Sequence, residues 1–565
     1  MSRFTAALVA VTDKGGRTRR APCAALVAAV CLAVLGAPAV AQAGEQTLRF
    51  PRDFAWGVAI SAFQSEMGGR PANTDRRSDW WVWTHDRDNI ARRVVSGDLP
   101  ERGPGSWRVY ATDAKLAKGL GVRVFRLSIE WSRIFPRPTT EVRVGRHITR
   151  QALRALDRLA DHRAVVHYRR VLKTLRHLGL RPFVTLNHFT LPLWLHDPLA
   201  TRAALAARGP DDPLPPGLDR AGWLSSTTAR EFRKYAAYMA WRFGDLVDDW
   251  ITLNEPLVVV TSGFVNAPGS FSGNFPPGVL SFTGAVAAVR NLEVANTLAY
   301  DAIHALDRRD ADGDGRRAQV GIVHNMAAFE PLDPASAADR RGAEHADWLF
   351  NRLILAAVVR GDQDRNANGR IDPPERARHR RKADFIGVNY YLRVRVQGAA
   401  APLSRAIPIA DFLPRVGWRN RFDPSAPPCP TLCADVGWEV FPLGLERVLS
   451  EVDRYRLPVY ITENGIADED DDLRPAYIVQ HLAVLARALR KRIADVRGYF
   501  HWSLVDNYEW ALGFGPKFGL YSFDPNTLAR RPRRSARVYR EIVRRNAVTR
   551  SLLERYPLPV IASAG

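Results

Sequence analysis

The sequence predicts an α/β protein, a single-domain (β/α)8 TIM barrel with long loops, on three observations. Eight short apolar, β-rich runs recur along the chain, helical patterns lie between them, and nearly every run ends in a residue able to do chemistry. Alternation of strand and helix signals is the mark of parallel sheets with helical crossovers. A doubly wound sheet shares that alternation. The barrel is favoured because its strand ends converge on one pocket, which is where loaded strand ends are useful. No internal repeat and no Ser/Gly linker divides the chain, so residues 46–560 read as one domain.

The elements follow in order. Residues 1–43 read as a secretory signal peptide. Arg17, Arg19 and Arg20 form a basic start, Ala24 to Leu35 an apolar stretch, and Ala39-Val40-Ala41 and Ala41-Gln42-Ala43 small-residue cleavage sites. The protein is therefore expected to be secreted or periplasmic and free of the membrane once the signal is cleaved. The β-runs are Phe54–Ile60, Val122–Ile129, Pro182–Asn187, Trp250–Leu253, Val320–Val323, Phe385–Val388, Pro458–Thr462 and Val496–Trp502. Helical periodicity covers Ala152–Leu178, Ala229–Phe243, Ala285–Leu306, Leu443–Tyr455 and Ala476–Arg492.

Composition narrows the function classes. The 565 residues are 46% hydrophobic and 25% charged, as in a globular protein. The formal charge is +22, and it falls to +18 without residues 1–43, which carry five basic and one acidic side chain. Such a balance suits nucleic acid. The arginines are instead scattered along the chain and no helix-turn-helix, zinc-finger or RNA-binding pattern occurs, so no nucleic-acid partner is expected. Of four cysteines, Cys23 and Cys31 leave with the signal. Cys429 and Cys433, in a Pro-rich loop with no His or Cys cluster nearby, read as a disulfide in an exported protein.

Two runs end in a glutamate and then break. Trp250-Ile251-Thr252-Leu253-Asn254-Glu255-Pro256 delivers Glu255, and Val459-Tyr460-Ile461-Thr462-Glu463-Asn464-Gly465 delivers Glu463. Either alone reads as a solvated strand end. Two carboxylates facing one another from different strands are what retaining glycoside hydrolysis needs, one as proton donor and one as nucleophile, about 5–5.5 Å apart.

These motifs resemble glycoside hydrolase family 1, especially its archaeal-type β-glycosidases, from Phe54 to about Ala547. The resemblance implies that Thr252-Leu253-Asn254-Glu255-Pro256 holds the acid/base Glu255 and the 2-hydroxyl ligand Asn254. It implies that Ile461-Thr462-Glu463-Asn464-Gly465 holds the nucleophile Glu463. Arg126, and Asn389 and Tyr391 in Asn389-Tyr390-Tyr391, match groups that support the two carboxylates. Gln64, His188, Trp502, Glu509 and Trp510 match ligands of the sugar, and Trp438 and Phe518 match walls on the leaving-group side. Without these companions Arg126 reads as a buried ion pair, Tyr391 and Trp502 as packing residues, and His188 as a satisfied core histidine.

The implied substrates are small β-glycosides or oligosaccharides: β-glucosides, β-galactosides or β-fucosides with a free non-reducing end. Glu509 and Trp510 speak against 6-phospho-sugars, and Glu255 against a thioglucosidase, where that acid is Gln. A transglycosidase or β-mannosidase is the alternative among enzymes. A catalytically dead binding protein would have lost one of the two Glu. Three departures stand out: Phe189 where many members have Trp, the stretch Ser65-Glu66-Met67-Gly68 one residue looser than usual, and the Cys429–Cys433 loop just before Trp438.

No cofactor is expected for catalysis. Residues 364–375 fit a twelve-residue EF-hand loop, with oxygen ligands at Asp364, Asn366, Asn368, Asp372 and Glu375, the Arg370 carbonyl at position seven and Gly369 at six. A structural Ca2+ is expected there. Asp310-Ala311-Asp312-Gly313-Asp314-Gly315 is half of such a loop and lacks its twelfth-position acid.

Overall fold

A computed structural model of the chain describes residues 47–265, 274–372 and 379–558. The expected signal peptide lies outside the described residues. Eight strands, all parallel to their neighbours, close into a barrel: β1 (Ala55–Ala59), β2 (Val124–Ser128), β3 (Arg181–Asn187), β4 (Asp249–Asn254), β5 (Gln319–Pro331), β6 (Phe385–Gly398), β7 (Val459–Asn464) and β8 (Val496–Trp502). Each lies on one of the apolar runs of the sequence. β1 pairs with β8, and β5 with β6, so no edge of the barrel is left open.

Every strand sends a side chain into the barrel's interior cluster: Ala55, Val124, Phe183, Ile251, Val323, Phe385, Tyr460 and Phe500. The large rings need room. A Cβ at Gly321 would stand 2.3 Å from Phe385, and one at Gly57 would stand 2.5 Å from Phe500. This packed layer is a floor beneath the C-terminal strand ends and keeps the barrel from being a pore.

The outer helices include α1 (Ser106–Leu120), α2 (Arg150–Leu159), α3 (His162–His177), α4 (Ser226–Phe243), α5 (Pro256–Phe264), α6 (Phe282–Leu306), α7 (Gly444–Asp453), α8 (Arg474–Lys491) and α9 (Arg534–Arg545). The single helix expected over Ala152–Leu178 is two. The break falls at Ala160, and the Asp161 side chain caps α3 by accepting from Arg163 N and Ala164 N. Apolar periodicity continues across the break, but the cap competes locally with helix continuation.

β5 and β6 run well beyond the apolar runs that mark them, and pair as far as Pro331 opposite Val396. The extension carries charge, which hid it from an apolar pattern. Arg393, fully buried, pairs with Glu330 at 3.1 Å and with Glu439. Among the described residues no helix is long and apolar enough to cross a membrane.

Candidate active site

The C-terminal strand ends bring the two glutamates and their companions into one buried cluster. Glu463 sits within β7, and Glu255 on the turn after β4. Glu255 adopts a left-handed conformation (φ 47°, ψ 56°) that non-glycine residues rarely take. Its amide donates to Val323 O at 2.9 Å, and Pro256 starts α5 directly behind it. The strained turn is held by β5 on one side and a helix on the other, and it aims the carboxyl where strand geometry alone would not.

The two carboxyls meet different partners. Arg126 Nη1 donates to Glu463 Oε1, and the Tyr391 hydroxyl donates to Oε2 at 2.6 Å. Burial, then the charges of Glu463 and Glu255, raise Tyr391 well above its ordinary range, so it keeps the proton it donates. Glu255 Oε1 accepts from Asn389 Nδ2 at 2.5 Å and from Asn325 Nδ2 at 3.2 Å. Burial, and next the charge of Glu463, push Glu255 up to about 8, against the opposing pull of Asn389 and Arg126. Glu255 therefore holds a proton at neutral pH.

Asn254 is oriented unambiguously. Its Oδ1 accepts from Arg126 Nη2 at 2.5 Å and from Asn389 Nδ2 at 3.2 Å, so its amide nitrogen faces His188 Nε2 at 3.3 Å. Burial, then Arg126, hold His188 well below its ordinary pKa, so the ring is neutral. With Nε2 accepting, the ring proton is on Nδ1, which is buried and has no protein partner. That donor has no partner among the protein's own atoms and suits a sugar hydroxyl.

Gln64 stands on a short helix after β1. Its Oε1 accepts from Ser61 at 2.6 Å, and its Nε2 lies 3.1 Å from Asn507 Oδ1 and 3.3 Å from Glu509 Oε2. Burial, then the charges of Glu463 and Glu255, push Glu509 up to about 8 as well. Burial thus favours its protonated form at neutral pH. Trp502, at the end of β8, lies nearly parallel to His188, with ring centroids 5.9 Å apart.

Trp510 is boxed by rings of Phe63 (5.9 Å), Trp80 (4.7 Å), Phe189 (4.9 Å) and Phe275 (5.8 Å). Phe189 thus packs the box behind Trp510, where loss of an indole N–H matters less than ring area. On the other side Tyr391, Trp438 and Phe518 form a triangle with centroids 5.6–6.1 Å apart. The structure joins Cys429 to Cys433, and Leu432 O accepts from Val440 N at 2.8 Å, so the bridged loop backs the turn carrying Trp438. In the looser stretch after Gln64, Glu66 pairs with Arg133 at 2.7 Å.

Asn325, Asn507, Phe63, Trp80 and Phe275 were not singled out from the sequence. Asn325 had a usable signal, a polar residue following the fifth apolar run. Phe275 had none, since it lies in a loop.

In the expected calcium loop the backbone curls round Asp364. Its Oδ1 accepts from Asn368 N at 2.9 Å, and its Oδ2 from Gly369 N at 2.8 Å and Trp348 Nε1 at 2.9 Å. Asn368 Oδ1 accepts from Arg370 N, and Asp372 Oδ2 from Arg365 N. Asn366 and the Arg370 carbonyl stand in the same loop, while Glu375 lies outside the described residues. At Asp310 and Asp312 the fold adds Asp248 from a distant segment, and one oxygen of each lies within 4.8 Å of the others.

Comparisons with known proteins bear on the family and the fold. The model of Glycosyl hydrolase family 1 matches residues 46–200 and 213–548. A "Beta-galactosidase" of Pyrococcus woesei is 41% identical over 526 residues, covering 89% of this chain and 99% of that protein. A "Beta-galactosidase" of Saccharolobus solfataricus is 39% identical over 522 residues, covering 88% and 96%. Among solved structures, the β-glycosidase of the hyperthermophile Thermosphaera aggregans superposes with a TM-score of 0.76 at 36% identity, covering 90% of this chain and 100% of that one. With both family-length coverage and a closed parallel barrel carrying the two glutamates, the chain belongs to glycosyl hydrolase family 1, the archaeal-type β-glycosidases being among its near relatives, and is a glycoside hydrolase.

Proposed function

We propose that the protein is a retaining, exo-acting β-glycosidase for terminal β-D-glucosyl, galactosyl or fucosyl residues, with Glu463 as nucleophile and Glu255 as acid/base. The observation that carries this reading is the contrast between two buried carboxyls in one pocket: two donors grip Glu463, while Glu255 is held protonated. A Glu463 oxygen attacks the anomeric carbon, and the glycosidic C–O bond breaks as Glu255 gives its proton to the leaving oxygen. The product of this step is a glycosyl ester on Glu463. Water then gives a proton to Glu255 and attacks the same carbon, the ester C–O bond breaks, and both carboxyls return to their starting state.

The charge of Glu463 is one cause of the raised Glu255. Ester formation removes that charge, so Glu255 holds a proton less tightly and its ionised form is favoured at the moment it must act as base. One residue serves both steps because the other changes charge between them. The aromatic surroundings of Trp510 and the unpartnered Nδ1 of His188 suit hydroxyls, not phosphate. The decisive experiment is proton NMR of a fresh digest of an aryl β-glycoside panel. Retention requires the β-anomer to appear first; first appearance of the α-anomer sinks the assignment.

Export to a secreted or periplasmic location, from the segment 1–43, is also our proposal, tested by sequencing the N-terminus of the mature protein. So is a structural calcium on the loop at Asp364, supported by the lone pair that Asp364 Oδ1, Asn368 Oδ1 and Asp372 Oδ2 each retain beyond one hydrogen bond.

A further inference from the structure

The helical ring has a flank on which positive charge is left unbalanced across three neighbouring helices. α1, α3 and α9 follow β1, β2 and β8 and are neighbours round the barrel. α9 meets α1 where Arg544 Nη2 donates to Gly119 O at 3.5 Å, and α1 meets α3 through Trp107 on Tyr168, centroids 5.4 Å apart. On α9 the exposed turns carry Arg537, Arg540 and Arg544; on α1, Lys115 and Lys118; on α3, Arg170 and Lys173. None of the seven forms a salt bridge among the described residues. Acids are missing or spent: α3 contains none, Asp113 of α1 is buried against Arg530, and Glu541 of α9 pairs with Arg545.

A basic helix end complements the helix dipole, and that accounts for a cation in a last turn such as Lys118 or Arg544. It does not account for Arg537, Lys115 or Arg170, which lie further back. Packed helices stand about 8–10 Å apart, close to the Debye length of about 8–10 Å at ordinary ionic strength. The three stripes therefore act as one field.

We infer that this flank, built by α1, α3 and α9, is an electrostatic docking surface for a linear anionic polysaccharide, carboxylated or sulfated. Its curvature and composition select that partner. Three helices spread round a cylinder cannot all lie on a flat bilayer, and Val166 is the one exposed large hydrophobic among them. A rigid duplex touches a cylinder along a line, whereas a flexible glycan follows the arc across all three stripes. Of the aromatic rings on these helices Tyr168 and Tyr539 are buried and Trp107 and Tyr110 are engaged by His167, so none is offered to a nucleobase. Six of the seven cations lie in the C-terminal halves of their helices, toward the barrel end opposite the catalytic site. A docked polymer leaves the pocket open and tethers a sugar-cleaving enzyme to carbohydrate.

The test is binding of the full chain to immobilised polygalacturonate and heparin, with dextran, duplex DNA and anionic phospholipid vesicles as comparisons. Binding to both anionic glycans is expected at about 50 mM salt, weakening by at least about tenfold at about 200 mM, as counterion release demands. The triple variant Lys115→Glu, Arg537→Glu, Arg540→Glu should lose at least about tenfold in affinity. A control with the same charge change elsewhere, Arg308→Glu, Arg405→Glu, Arg419→Glu, should lose far less. Both should keep the aryl-glycoside turnover and melting temperature of the parent, and a Glu463→Gln protein should bind the glycans as the parent does. Equal losses in the two triples would mean bulk charge and no docking face. Absence of glycan binding at low salt, in the parent protein itself, overturns the inference, and so does tighter binding to DNA or vesicles.

Discussion

Replacing Glu463 by Gln should lower the pKa of Glu255, and by a calculable amount. Burial is the first cause of the raised value and the Glu463 charge the second. Gln keeps shape and burial and removes only the charge. At the separation of about 5–5.5 Å that retention requires, and an effective dielectric of about 20, two unit charges repel by roughly 3 kcal/mol. At 1.36 kcal/mol per pH unit this is about 2 units. Glu255, pushed up to about 8 in the parent, should therefore titrate near roughly 6 in the variant, still above an ordinary carboxyl because burial persists. The assay is carbon-detected NMR of glutamate-labelled protein, with a Glu255→Gln spectrum to assign the resonance. A protein trapped as its glycosyl ester should show the same fall. If Glu255 titrates at the parent value in Glu463→Gln, the charge coupling between the two residues is absent and the acid-to-base exchange proposed for them is wrong.

Glu463→Gly should abolish hydrolysis with the fold intact, and formate or azide should restore turnover with an inverted product; undiminished activity in the clean variant contradicts its role. Glu509→Ser should cost about 5- to 150-fold on glucosides, from roughly 1–3 kcal/mol for a buried sugar hydroxyl left unpaired, and less on fucosides, which lack the 6-hydroxyl; equal losses in kcat/KM would mean a structural role acting through Gln64. Chelator should lower the melting temperature by removing calcium that binds only the folded state; an unchanged melt and no calcium by elemental analysis exclude the site. Glu66 and Glu130, raised to about 7 and about 8 chiefly by burial, bind protons more tightly folded than unfolded. Their contribution to stability is full below the unfolded value and is lost as pH rises toward 8. Calorimetry of Glu130→Gln should show a shallower fall in Tm between about pH 5 and 8 than the parent shows; identical slopes refute this.

The barrel was legible because its strands are local: each apolar run needs only its own residues to declare a buried strand, and Gln64, His188, Glu255 and Glu463 lie within four residues of the ends of their runs. The amino acids at strand ends are thus set by the sequence, and the closed topology brings them together. Helix boundaries were less legible at Ala160, where a side-chain cap overrides a continuous apolar period. Strand length failed at β5 and β6, because Arg393 disguises a buried strand until Glu330 and Glu439 are placed beside it. Nothing in the order of residues marks Phe275 as a wall of the Trp510 box or joins Asp248 to Asp310 and Asp312. Protonation was the least legible of all. Glu255 and Glu509 hold protons because of burial and of a neighbour's charge, and Glu463 stands between two donors contributed by β2 and β6. Sequence decides which groups exist and where each strand delivers them. Only the folded chain decides how much water and which charges each group meets, since those depend on residues hundreds of positions away.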